Sequence, residues 1–207
     1  MMGRRARMSG TGHVRMVGGA VCVAGLLAGA FAVRAQGEAV RAQGEAVRAQ
    51  GDAVRAQGDA VAEAAAGAFA AHCFSPYMTA ARAQEVLAAT GARVDFYDLA
   101  PFSDAAPSPV TGRAATDGTD RRCEVAFDGA FGEMAASAAV AGLAQEGIRT
   151  EAPLPDRYAA TEGTVLLAAR ALNPRRIAVV HVGTRPGPDG IETFLTVERM
   201  TPLEALQ

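Results

Sequence analysis

Four consecutive copies of a seven-residue unit, AVRAQGE twice and then AVRAQGD twice, fill residues 32–59. A period of seven invites a coiled coil, but neither register gives a convincing seam. With Ala at position a the seam is Ala32, Ala35, Ala39 and Ala42, which buries little, and with Val at d a glycine falls at a. Each copy also contains a glycine (Gly37, Gly44, Gly51 or Gly58), costing about 1 kcal/mol relative to alanine in a helix. The arginine precedes the acid in pairs such as Arg41 and Glu45, the less favourable order at this spacing. Residues 36–61 are therefore predicted to be a solvated spacer, disordered or weakly helical, with a weakly oligomerising helix as the alternative. The globular core must be built from residues 62–207.

The N-terminus reads as an export signal. Arg4, Arg5, Arg7 and Arg15 occur with no acid, and residues 16–33 form an uncharged run rich in Val, Ala, Leu and Gly. Two small-residue cleavage patterns follow, before Val33 and before Gln36, so residues 1–35 are predicted to be a signal peptide and the protein periplasmic. The alternative is an uncleaved inner-membrane anchor with the repeat as spacer, since the run is near the lower limit of roughly 17 to 25 residues for a span. Gly18, Gly19, Gly25 and Gly29 make it a poor permanent one. Contact with a membrane is expected only through such an uncleaved segment.

Cleavage changes the charge balance. All 20 bases are arginine and none is lysine, which removes Schiff-base chemistry, a P-loop lysine and a lysine general base. All 22 acids follow Gln36, so a chain starting there carries 15 arginines against them, a net −7. An acidic net charge argues against binding a phosphate backbone, which needs a basic face, and leaves room only for a local arginine patch, so no nucleic-acid partner is expected.

Within 62–207, residues 62–72 and 79–90 read as helices, the second stopped by Gly91. Residues 93–99 alternate and read as a strand; 101–119 is a Pro-, Gly- and Ser-containing loop. A short strand is expected at 122–128 and a helix at 130–146, ended by Gly147, with Met134, Ala138, Ala141 and Ala144 or Gln145 along its apolar stripe. Residues 164–172 suit a strand with Val165, Leu167, Ala169 and Ala171 on one face, although their Ala and Leu content also suits a helix. Residues 177–184 are apolar on both faces, and Pro186 to Gly190 turns the chain into 191–200. The predicted fold is α+β: an antiparallel sheet with a C-terminal three-stranded meander and helices packed on one face.

Cys22 lies in the signal, leaving Cys73 and Cys123, which in an exported chain are predicted to form a disulfide. The bridge would close a loop of about 50 residues and contribute roughly 3 to 4 kcal/mol. The alternative is a cysteine nucleophile served by His72 or His181. His181, in mid-strand, reads first as a core or edge histidine. No metal site and no cofactor are predicted, since ligands lack recognisable spacing and GxSxG, HExxH and phosphate-loop motifs are absent. Arginines gather at strand ends and turns: Arg121, Arg122, Arg175, Arg176 and Arg185, with Arg199. They suit a carboxylate or phosphate, unless they pair with Asp120, Glu124, Glu192 and Glu198.

The segments Gly118-Thr119-Asp120-Arg121-Arg122-Cys123-Glu124-Val125 and Ala178-Val179-Val180-His181-Val182-Gly183-Thr184-Arg185, with the preceding Leu172-Asn173-Pro174, resemble small exported alphaproteobacterial proteins without assigned activity. The resemblance spans roughly residues 69–202 and implies a compartment rather than a mechanism. The sequence thus points to a periplasmic, non-catalytic binding or interaction module, whose partner is an unknown protein or a small anion. The alternative is an enzyme with an arginine-lined anion site and His181 or a carboxylate as general base.

Overall fold

The computed structural model describes residues 26–99, 116, 118–174 and 176–200. The predicted signal (1–35) thus lies largely outside the described residues, as do most of the 101–119 loop and Arg175. The chain divides into two units, Met1–Gln50 and Gly51–Gln207. Helix α1 (Leu26–His72) runs through all four repeat copies and both predicted cleavage points. Continuous helix stands where a disordered or weakly helical spacer was expected. The reason is local: Ala, Arg, Gln and Glu are strong helix formers and occupy most positions of each copy, outweighing its one glycine. Val40, Val47 and Val54 remain 65 to 69% exposed.

In the second unit, Ala62, Ala65, Ala66, Phe69 and Cys73 recur at three- and four-residue spacing and are buried. Thr79 caps α2 (Ala80–Val86) by accepting a bond from the Arg82 N–H. The helix expected over 79–90 continues only as a 3-10 turn (Ala88–Thr90), ended by Gly91 at φ 85°. There follow β1 (Arg93–Asp98), β2 (Thr119–Asp128), α3 (Gly132–Gln145), β3 (Glu151–Ala152), β4 (Thr164–Asn173), β5 (Arg176–Gly187) and β6 (Gly190–Met200). The strands form one antiparallel sheet in the order β1-β2-β6-β5-β4-β3. The fold is α+β, with β4–β6 as the C-terminal meander.

Cross-strand register separates the two faces. On one, Phe96, Cys123, Val197 and Val180 lie side by side and join Phe69, Phe74, Leu87 and Leu143 in the main core. On the other, Asp95, Glu124, Thr196 and His181 form one row and Tyr97, Arg122, Glu198 and Val179 the next. Its apolar content is a small cluster of Ala169, Ile177, Val179 and Met200. The helices serve the first face, and the second is polar.

Four boundaries or faces differ from expectation. β2 begins at Thr119, three residues early, because a bulge between Thr119 and Arg121 lets the strand continue through Asp120. β3 is an edge segment held only by pairing with Arg170 and Ala169. Residues 164–172 are strand, but β4 serves both faces: Leu166 and Leu172 reach the main core, while Ala169 and Leu167 belong to the small cluster. Val165 is 38% exposed.

In α3 the buried residues are Gly132, Ala135, Ala139, Gly142 and Leu143 rather than the predicted stripe. A Cβ on Gly142 would stand 2.6 Å from the Ala70 carbonyl oxygen. Only glycine permits that approach, so the helix turns its smallest residues inward.

Candidate functional site

Arg121 and Arg122 are neighbours on a strand, so they leave opposite faces of the sheet. The arginines grouped by sequence therefore separate into two sites. Arg121, Arg176 and Arg199 meet on the helix-covered face beside the disulfide; Arg122 and Arg185 lie on the polar face. Arg175 is outside the described residues.

The first site follows from the β2 bulge and from the loop after α1. Arg121 donates to the carbonyls of Ser75, Pro76 and Met78 at 2.7, 3.0 and 3.2 Å. It also bonds the Asp98 carboxylate at 2.5 Å. Arg199 bridges Asp98 at 3.1 Å and Asp120 at 2.6 Å, and Arg176 reaches Asp120 only at 3.5 Å. The resulting chain, Arg121–Asp98–Arg199–Asp120–Arg176, has one more cation than anion.

Two atoms in this network, Arg121 Nε and Asp120 Oδ2, are buried without a hydrogen-bond partner. Such groups are uncommon and costly. A cavity of about 350 Å³ opens here, lined by all three arginines, by Cys73 and Phe74, and by the apolar side chains Ile148, Leu172, Ala178 and Val197. Asp98 had no place in the sequence-based grouping, although its position at the end of an alternating strand was visible.

The Cys73–Cys123 disulfide has an S–S distance of 2.02 Å and forms part of the cavity wall. No free thiol remains among the described residues, so the cysteine nucleophile served by His72 or His181 has no thiol in this form of the protein.

The second site is a ladder of ion pairs. Arg122 bonds Asp95 at 2.7 Å and Glu198 at 3.0 Å, stacks 4.8 Å above the Tyr97 ring and contacts Thr116. Arg185 bonds Glu124 at 2.8 Å and Glu192 at 2.6 Å and stacks on Phe194. Arg93, absent from the sequence-based grouping, ties Glu192 to Asp128. All four acids named from the sequence are arginine partners, divided between the two sites. Tyr158 donates to Glu198 at 2.6 Å, and burial pushes its phenol up.

His181 lies in a groove on this face with its Nε2 3.0 Å from the Thr164 hydroxyl and its ring edge-on to Phe194. Burial, and then the Arg185 charge, hold its pKa below the ordinary 6.5, while Glu124 and Glu198 pull the other way. Unfolded, the imidazole takes up a proton near its ordinary pKa; folded, it resists. Protonation thus favours the unfolded chain, and this contribution weakens the fold as pH falls below about 6.5. Urea midpoints taken from about pH 7.5 to about pH 5 should fall less steeply in His181→Gln than in the unmodified protein. Equal slopes would show that the histidine titrates normally.

Among the described residues, no cluster of three or more His, Cys, Asp or Glu is placed to hold a metal, and no helix is long and apolar enough to cross a membrane. Comparison with protein-family models, curated proteins and solved structures found no match.

Proposed function

We propose that this chain is an exported periplasmic binding module, and that the arginine-lined cavity beside the disulfide is its site for a small anion. The observation that carries this is the pairing imbalance. Three arginines share two aspartates, the Arg176 pair is loose, and the buried Arg121 Nε has no partner. The disulfide suits an oxidising compartment, and the N-terminal arginines followed by an apolar run suit export.

Inorganic phosphate at millimolar concentration and constant ionic strength is expected to raise the Tm of the oxidised protein by about 2 to 4 °C when well above its Kd. The rise should vanish in Arg176→Ala and persist in Arg185→Ala, whose guanidinium lies on the opposite face. An equal rise in all three proteins would place the anion elsewhere.

A second reading, an enzyme on the polar face, is favoured by the place of His181 in its groove, where burial lowers the imidazole pKa. Ester turnover that is lost in His181→Ala with folding intact would support it. Activity unchanged in that variant would remove it.

A further inference from the structure

We infer that the anion taken by the cavity beside the disulfide is a monocarboxylate carrying an apolar body, rather than an inorganic oxyanion. This rests on the reading of that cavity as an anion site. The polar-face arginines are already engaged: Arg122 and Arg185 each bond two carboxylates. Beside the disulfide, by contrast, the cations exceed their aspartates by one, and Glu146 at the exposed end of α3 also lines the cavity. With Glu146 counted, the three arginines face three carboxylates, a balance that tolerates one further negative charge on Arg176 better than the two of a dianion. Arg121 and Arg199 are held by their partners, leaving Arg176 as the arm able to close on a ligand. A guanidinium meets a carboxylate edge to edge with two parallel N–H bonds.

The shape of the wall sets the rest of the ligand. Seven of the cavity's twelve lining residues are apolar. Apart from the arginines, Asn173 and Glu146, the lining is Phe74, Pro76, Ile148, Leu172, Ala178, Val197 and the Cys73 side of the disulfide, none of which hydrogen-bonds a phosphate or sulfate oxygen through its side chain. Phe74 is itself held edge-on to Phe69, with ring centroids 5.3 Å apart, so that part of the wall is preformed. A volume of about 350 Å³ is that of about a dozen water-sized groups of ~30 Å³ each. A bare oxyanion would leave most of it in contact with apolar carbon, whereas an aliphatic or aromatic acid fills it and removes that carbon from water.

Isothermal titration of the oxidised protein with acetate, butyrate, octanoate and inorganic phosphate tests this, alongside Arg176→Ala and Leu172→Ser. Affinity is expected to rise along the series, by about a hundredfold or more from acetate to octanoate. Arg176→Ala should weaken octanoate about tenfold or more. Leu172→Ser should weaken octanoate and leave acetate unchanged. If acetate or phosphate binds as tightly as octanoate, the apolar body is overturned while the anion site stands. If none of the anions binds, the anion site itself falls, and the inference with it. Octanoate binding unchanged in both variants would place the acid elsewhere and overturn the inference.

Discussion

Removing the Cys73–Cys123 bond, by reduction or by the double substitution Cys73→Ala with Cys123→Ala, is expected to lower the free energy of unfolding by roughly 3 to 4 kcal/mol. The bond joins positions 50 apart in sequence whose Cα atoms stand 5.6 Å apart. Its largest effect is on the unfolded chain, which loses the freedom of a long loop. Its folded-state role is local. Cys73 follows the last turn of α1, its N–H bonding the Phe69 carbonyl at 2.9 Å, and Cys123 lies in the middle of β2. The bridge holds the helix end against the sheet just before the 75–78 segment whose carbonyls receive Arg121. Urea unfolding should show the lost stability together with a larger m value, because the open chain exposes more surface. A loss below about 1 kcal/mol would mean that packing around Phe69 and Phe74 holds α1 in place without the bridge.

The meander was legible because its signals are local. Residues 177–184 read as apolar on both faces apart from His181 and Thr184, as suits a central strand, and the Pro186 to Gly190 stretch closes a hairpin in which Gly190 takes φ 124°. Other features depend on partners that the local pattern does not name. In α3, alanine occupies so many positions that periodicity cannot choose a face; the approach of Ala70 to Gly142 chooses it. In the repeat the opposing signals are both local, strong helix formers against one glycine per copy, and the helix formers prevail. β3 is too short to carry an alternating pattern.

The site was half legible for the same reason. That arginines would meet acids at strand ends could be read from composition and position. That adjacent residues on a strand point to opposite faces separates Arg121 from Arg122, once the strand is known to begin at Thr119. What could not be read is which distant residues share each face. Asp98 joins the Arg121 and Arg199 cluster because β1, β2 and β6 are neighbours in the sheet, and that order is a property of the topology. His181 was read as a core or edge histidine, and its groove arises from the two faces having different coverings.

The second large effect is expected at Arg122. Its side chain is 5% exposed, and those of its partners Asp95 and Glu198 are 9 and 10% exposed. Arg122→Met keeps much of the apolar stem but leaves two carboxylates in a poorly solvated place. The expected cost is about 3 to 5 kcal/mol, set chiefly by the charges left behind. It is not the net worth of the ion pairs, since assembling them also required desolvating all three groups. The triple variant Arg122→Met with Asp95→Asn and Glu198→Gln separates these terms. It removes the stranded charges, and the side-chain amide introduced by Glu198→Gln keeps an oxygen able to accept the Tyr158 hydroxyl. Chemical denaturation should therefore find the triple variant more stable than Arg122→Met alone, despite its two additional substitutions. If the triple variant is the less stable, direct bonds such as those from Tyr158 and Thr116 to Glu198 outweigh charge burial. The polar face would then be held by its hydrogen-bond geometry more than by its charge balance.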